Sequence, residues 1–401
     1  MHLNARLDTL APSGIRRYAA MAREVPGCVS LTLGEPGEDT PAPIREAARE
    51  ELAAGNTHYP PNAGTPALRA AIAEHERGWG LAFAPDDVVL TIGATEALAS
   101  TFAALLNPGD EVIVPTPAFS LYASQVALLQ GVPVALPAEK TNFQLRADML
   151  AAAVTPRTRA IVLNSPNNPT GCVLDAESLD AVAALAERRD LVVVCDDVYA
   201  DLVFDEGFER FACRHPELAD RTVVVGSFSK PWAMTGWRMG WAAAHGELAA
   251  AIAKAHQFLV SCSPAFVQRA GEVALAVDAA PLRDAWHARR DRVVAACAEM
   301  GLPLVRPAGA FYAFPQVNDL GSASGLNAAS NPAVPHGPVG LNLPSDVFCE
   351  RAIREAGVAL VPGTCFGTEG YVRISYAAAD DVLDEGLARL ARFVSKLREE
   401  A

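Results

Sequence analysis

A lysine, two serines and an arginine crowd together where a run of β-branched residues ends. Thr222-Val223-Val224-Val225-Gly226 runs into Ser227-Phe228-Ser229-Lys230, and Arg238 follows eight residues after the lysine. A lysine at a strand end is ordinarily just solvated. Lys230, however, is flanked by small and apolar residues that exclude water, and desolvation lowers an amine's pKa. A neutral amine can attack a carbonyl and form a Schiff base. The hydroxyls of Ser227 and Ser229 and the guanidinium of Arg238 can hold a phosphate dianion. This combination points to an aldehyde cofactor that carries a phosphate, for which pyridoxal phosphate is the natural candidate.

Other residues with the right chemistry stand at further strand ends. Gly93-Ala94-Thr95 follows the apolar run 88–92 and opens a helix, so free N–H groups and the helix dipole favour a phosphate there. Asp196 ends the run 191–195. A buried carboxylate needs a cationic partner, which a protonated pyridine nitrogen would supply. Tyr199, three residues on, could hydrogen-bond the 3-oxygen of such a ring. Asn164-Ser165-Pro166-Asn167-Asn168-Pro169-Thr170-Gly171 is a compact turn after the strand 160–163. Phe119, after Pro115-Thr116-Pro117-Ala118, could lie flat on an aromatic ring. Arg373, in the late strand 371–376, could fork a carboxylate bidentately. Each has a bland reading on its own: a common βα turn, a helix-capping Asp, a core aromatic, a surface ion pair. Their succession in one chain, all but the Arg at strand ends of one sheet, carries the weight, because ligands bind beyond the carboxyl ends of parallel strands.

The elements that must position these residues follow from periodicity. Strands at 88–92, 111–114, 160–163, 191–195 and 222–226 alternate with helices at 96–106, 120–130 and 178–189. That pattern predicts an α/β fold with a mostly parallel central sheet, apolar on both faces and flanked by helices. A helical patch at 15–24 and helices at 43–53 and from 68 precede it. A long mixed-charge helix at 281–300 links to a smaller α+β unit with strands at 310–314, 358–361 and 371–376 and helices at 345–356 and 381–400. The expected division is 1–45 as arm and part of the small domain, 46–285 as the large cofactor-binding domain, and 286–401 as the small domain. Between Val317 and Leu343 lies a Gly-, Ala-, Ser-, Asn- and Pro-rich loop, read as a surface connection or as a lid.

Composition sets outer bounds. A chain of 401 residues with 51% hydrophobic and 20% charged residues has ample core material. Its net charge of −14 argues against nucleic acid as a partner. The eight cysteines are scattered with no C-x-x-C pair, which argues against a metal site or a disulfide framework and for a reducing compartment. Residues 1–10 lack an apolar signal core and no run is long enough to span a bilayer, so a cytoplasmic location is expected.

With these residues quoted, the chain resembles the aspartate aminotransferase family, the class I/II pyridoxal-phosphate enzymes of fold type I. The resemblance runs from about Val25 to Tyr376. It rests on Leu33-Gly34-Glu35-Pro36, Tyr59 with Gly64 and Leu68-Arg69, the stretch 93–98, the turn 168–171, Asp196 with Tyr199, Ser227 to Lys230, Thr235 to Arg238, Pro362-Gly363 and Phe366-Gly367. It implies that Lys230 carries the cofactor covalently and shuttles a proton, Asp196 binds the pyridine nitrogen, Tyr199 the 3-oxygen and Phe119 the ring face. Ala94, Thr95, Ser227, Ser229 and Arg238 would hold the phosphate, and Tyr59 would reach the phosphate of a neighbouring subunit, making a homodimer the active unit. Gly34, Asn168 and Arg373 would bind the substrate α-carboxylate, and Asn168 would also contact the cofactor. The resemblance also implies cis peptides before Pro117 and Pro169. Phe119, Asp197 and Gly37 depart from the residues common in relatives.

The expected activity is transfer of an amino group between an L-amino acid and a 2-oxo acid by a ping-pong route. A β-lyase cutting a carbon–sulfur bond on the same scaffold is the alternative. A non-catalytic effector module of a transcription regulator, and a structural protein without cofactor, are further readings that the acidic charge and the motif set disfavour. The substrate side chain is left open among neutral, aromatic and acidic amino acids: a dicarboxylate would need a second cation, for which Arg16, Arg17 and the loop 317–343 are the candidates.

Overall fold

The computed structural model describes residues 4–318, 341 and 343–400. Seven strands between residues 88 and 243 make one sheet: β1 (Val88–Thr91), β2 (Glu111–Thr116), β3 (Val132–Pro137), β4 (Thr158–Asn164), β5 (Val192–Asp196), β6 (Thr222–Ser227) and β7 (Gly240–Ala243). They lie in the order β1-β7-β6-β5-β4-β2-β3. β2 to β6 are mutually parallel where they pair, as expected. β7 runs antiparallel to both β6 and β1. The link from β6 to β7 holds only the short turn Thr235–Trp237, and without a crossover helix the chain can only fold back antiparallel.

The sheet is buried on both faces, which is why its strands are near-continuous apolar runs. Side chains alternate. Val223 and Val225 pack with Leu98, Phe102 and Ile252 on one face, while Val224 packs with Leu68, Ile72 and Val267 on the other. Helix Ala176–Arg189 covers the neighbouring strands through Leu179 and Val182 against Ile161 and Val193. Several elements had no expected counterpart, β3 and two helices among them. β3 is an edge strand carrying Pro133 and Pro137, which an edge tolerates. Helices Gly246–Leu259 and Ala265–Ala276 are alanine-rich, so few large apolar residues mark their period.

A second apolar body forms around Trp286, Val293, Phe311, Phe348, Leu383 and Leu390, joined by Tyr18 and Leu31 from the N-terminal region. It holds the helices Ala280–Glu299 and Asp380–Glu400 and a three-stranded antiparallel sheet of Tyr312–Ala313, Val361–Pro362 and Val372–Ser375. Val29–Ser30 pairs in parallel with Val358–Ala359, which ties the first residues to the last. The loop reading for Val317 to Leu343 falls almost wholly outside the described residues. Peptides Thr116–Pro117 and Asn168–Pro169 are cis, as the resemblance implies, and so is Ser165–Pro166. Among the described residues no helix is long and apolar enough to cross a membrane.

Candidate active site

The parallel strands deliver several of the singled-out side chains to one edge of the sheet. Asp196 is the last residue of β5, Asn168 follows β4, and Lys230 follows β6 by three residues. Arg373 comes from the other body, on Val372–Ser375, so the site lies where the two bodies meet.

The Lys230 Nζ donates to the carbonyl oxygen of Gly34 at 2.6 Å and stands 5.7 Å from the Phe311 ring centroid. Burial lowers its pKa to about 8; Arg373 and Arg238 push the same way, while Glu35 and Asp196 oppose. An amine in that state is a base and a nucleophile near neutral pH.

Asp196 is buried, and burial raises its carboxyl pKa to about 6. Its partner is not a cation. The Tyr122 hydroxyl donates to Oδ2 at 2.6 Å, while the Val198 N–H lies 3.5 Å from Oδ1. Asn164 Nδ2 donates to the Asp196 carbonyl at 2.9 Å and so ties the ends of β4 and β5 together. The Tyr199 hydroxyl lies 3.0 Å from that of Tyr312, and burial raises its pKa well above the usual phenol value.

Arg373 is 1% exposed, and burial lowers its pKa. Nη1 donates to Asn168 Oδ1 at 2.8 Å and Nη2 to the Thr32 carbonyl. Its guanidinium lies over the rings of Tyr312 (4.5 Å) and Phe366 (4.8 Å). Its Nε has no hydrogen-bond partner, and among the described residues no carboxylate pairs with it. A buried cation held only by neutral groups is suited to capture an anion.

At the other end, helix Gly93–Leu105 begins directly after β1. Gly93 has φ +71°, and a Cβ there would lie 2.7 Å from Arg238 Nη2. The left-handed φ favours glycine, and the missing Cβ leaves room for the Arg238 guanidinium beside the turn. Arg238 is itself left-handed (φ 54°), exposed, and braced by donation to the Thr235 carbonyl at 2.9 Å. Ala94 and Thr95 lie in the first helical turn, and Gln125 Nε2 holds the Thr95 carbonyl at 2.8 Å. Ser227 Oγ accepts from the Ser229 N–H at 3.1 Å, and both serines are buried.

Phe119 is part-buried and meets Tyr122 edge-on at 6.1 Å. Gly34 has a steric reason: a Cβ there would stand 1.8 Å from the Tyr312 hydroxyl. Tyr59 is apart from the rest, with 92% of its surface exposed. Arg17 pairs with Glu350 at 2.7 Å on the surface, and Arg16 is exposed beside it. Tyr122 and Tyr312 were not anticipated; in sequence each is an aromatic in apolar surroundings, with no mark that its hydroxyl is used. Among the described residues no cluster of three His, Cys, Asp or Glu side chains could hold a metal ion.

This chain is similar to known proteins along nearly its whole length. The family model described as aminotransferase class I and II matches residues 26–390. An aspartate aminotransferase of Pyrococcus abyssi is 38% identical, over 98% of this chain and 98% of its own. An aromatic-amino-acid aminotransferase of Thermococcus litoralis is 37% identical over 99% of each chain. The crystal structure of aspartate aminotransferase from Thermotoga maritima superposes with a TM-score of 0.89 at 33% identity, covering 98% of this chain and 100% of that one.

Proposed function

The chain belongs to the class I and II aminotransferase family, and from that premise we propose how its own residues divide the transfer of an amino group between an amino acid and a 2-oxo acid. The family works with pyridoxal phosphate, which when bound supplies an aldehyde carbon and a cationic ring that accepts electron density. The residues present fit that group. A buried carboxylate without a cation, a near-neutral buried amine and a glycine turn facing an arginine are the three contacts its ring nitrogen, aldehyde and phosphate need.

In this reading Asp196, ionised above about pH 6, would hold the ring nitrogen. Tyr199 would hold the ring oxygen, Phe119 would pack on the ring, and Ala94, Thr95, Ser227, Ser229 and Arg238 would hold the phosphate. Arg373, with Asn168 and Gly34, receives the substrate α-carboxylate, which would meet the unpartnered guanidinium edge. Lys230 Nζ then takes the proton from the substrate's α-carbon and holds it for redelivery. Its lowered pKa leaves a sizeable unprotonated fraction near pH 8 for that task.

The observation that carries this reading is the Lys230 amine, lowered to about 8 beside Asp196 and Arg373. Lys230→Ala tests it: turnover should fall by roughly four orders of magnitude or more, as for loss of a group acting as base and nucleophile, while the cofactor still binds. Appreciable transamination by that variant would remove the role. The curated relatives are named as aminotransferases, which favours transfer over the β-lyase alternative.

The same reading divides the chain into a cofactor body of residues 46–285 and a second body of 1–45 with 286–401. It also makes the enzyme a cytoplasmic homodimer, in which the exposed Tyr59 reaches the partner's phosphate; sedimentation of the purified protein checks the stoichiometry.

A further inference from the structure

A buried ion pair lies beneath the turn 93–95, outside every role assigned so far. His256, on helix Gly246–Leu259, is 0% exposed. Its Nδ1 faces both carboxylate oxygens of Glu96 at 3.2 and 3.1 Å, and its Nε2 faces the Asn62 carbonyl oxygen at 3.0 Å. Both Glu96 oxygens are already acceptors. Oε2 takes the Ile92 N–H at 3.1 Å and Oε1 takes the Ser100 hydroxyl. The glutamate therefore presents acceptors on both oxygens, as a carboxylate does. The imidazole meets an acceptor at each nitrogen, and only the doubly protonated ring donates to both. Burial works against that charge, but the Glu96 carboxylate and the Asn62 carbonyl raise the ring's pKa above the usual histidine value.

The placement gives the pair a consequence. Glu96 stands in the first turns of the helix whose N-terminus faces Arg238, so an unneutralised carboxylate there would repel a phosphate dianion. Asn62 belongs to the segment that presents Tyr59, and its side chain is anchored to the Ser261 carbonyl at the end of the His256 helix. One charged ring thus touches the base of the turn and the root of the exposed tyrosine. Among the described residues Glu96 is the acidic side chain paired with His256.

We propose that His256 is a positioning residue, whose second ring proton neutralises Glu96 beneath the phosphate turn and clamps the segment that presents Tyr59. This rests on the reading of 93–95 as the phosphate site. Loss of the proton leaves Glu96 charged and Asn62 without its donor, so phosphate anchoring weakens as pH rises through the His256 titration.

The test is the affinity of the cofactor-free chain for pyridoxal phosphate and for pyridoxal, by fluorescence titration from about pH 6 to about pH 9. The ratio of the two isolates the phosphate end. In the unaltered chain the ratio should fall about tenfold across an alkaline step, the scale of one displaced unit charge. His256→Gln should lower the ratio about tenfold at neutral pH and abolish the step. Adding Glu96→Gln to His256→Gln should restore most of the ratio, because the repelling charge is gone; a ring that only filled space would not be rescued this way. Should His256→Gln not fold, Glu96→Gln alone serves, since the step must then move to lower pH. A clear preference for pyridoxal phosphate that His256→Gln leaves unchanged overturns this inference alone, as does a step unmoved by Glu96→Gln. Equal binding of both ligands by the unaltered chain overturns the phosphate reading and this inference with it.

Discussion

The Tyr122 hydroxyl donates to Asp196 Oδ2 at 2.6 Å, across 74 residues of sequence, and both groups are buried. A phenol in that position favours the ionised carboxylate without spending its charge, leaving the anion free for a cationic ring. Tyr122→Phe should raise the Asp196 pKa further above about 6. Cofactor affinity requires ionised Asp196 and so falls as pH drops through that value. The acid limb should move up by about one unit, in line with a hydrogen bond to a charged group. A pH series of cofactor dissociation constants measures it, and an unmoved limb would reduce Tyr122 to packing.

The lowered pKa of Lys230 is a cost to the cofactor-free fold. A lysine whose folded pKa is about 8 binds its proton less well folded than unfolded. The penalty is complete below about pH 8, shrinks as pH rises, and vanishes above about 10.4, the unfolded value. Cofactor-free Lys230→Met should therefore be more stable than the parent at pH 7, by roughly 1–3 kcal/mol. The gain should decline through the alkaline range. Chemical denaturation at pH 7 and at about pH 10 gives both numbers.

Arg373 has Asn168 and Thr32 as neutral partners but no carboxylate. Arg373→Gln should raise KM for amino donors by about a hundredfold, the loss of a bidentate charge-assisted pair. Cofactor affinity should stay within a few-fold. Steady-state kinetics beside a cofactor titration separates the two; a fall in cofactor affinity as large as the rise in KM would tell against a substrate role.

Behind Asp196, the neighbouring Asp197 meets Arg210 at 2.7 Å, and Arg210 meets Glu76 at 2.7 Å, all buried. Arg210→Met would strand two carboxylates in the interior. It should destabilise the protein by about 3–5 kcal/mol, read as a lowered denaturation midpoint. A loss below about 1 kcal/mol would mean that water reaches the pair.

By itself the sequence determined the parallel sheet and the strand-end positions of Asp196, Asn168 and Lys230. Apolar runs, turn residues and helical spacing are local signals, and a βα unit places its chemistry at the strand end wherever it sits in the chain. It did not determine which groups those side chains would face. Tyr122 on Asp196, Tyr312 on Tyr199, Asn168 on Arg373 and His256 on Glu96 are pairs separated by 74, 113, 205 and 160 residues. A tyrosine in an apolar helix, or a histidine among alanines, reads the same whether its polar atoms are used or not. Only packing brings a second polar atom within hydrogen-bond distance, and only burial makes that contact decide a proton's place. The antiparallel turn-back of β7 was settled in the same way, by what the fold had room for between two strands.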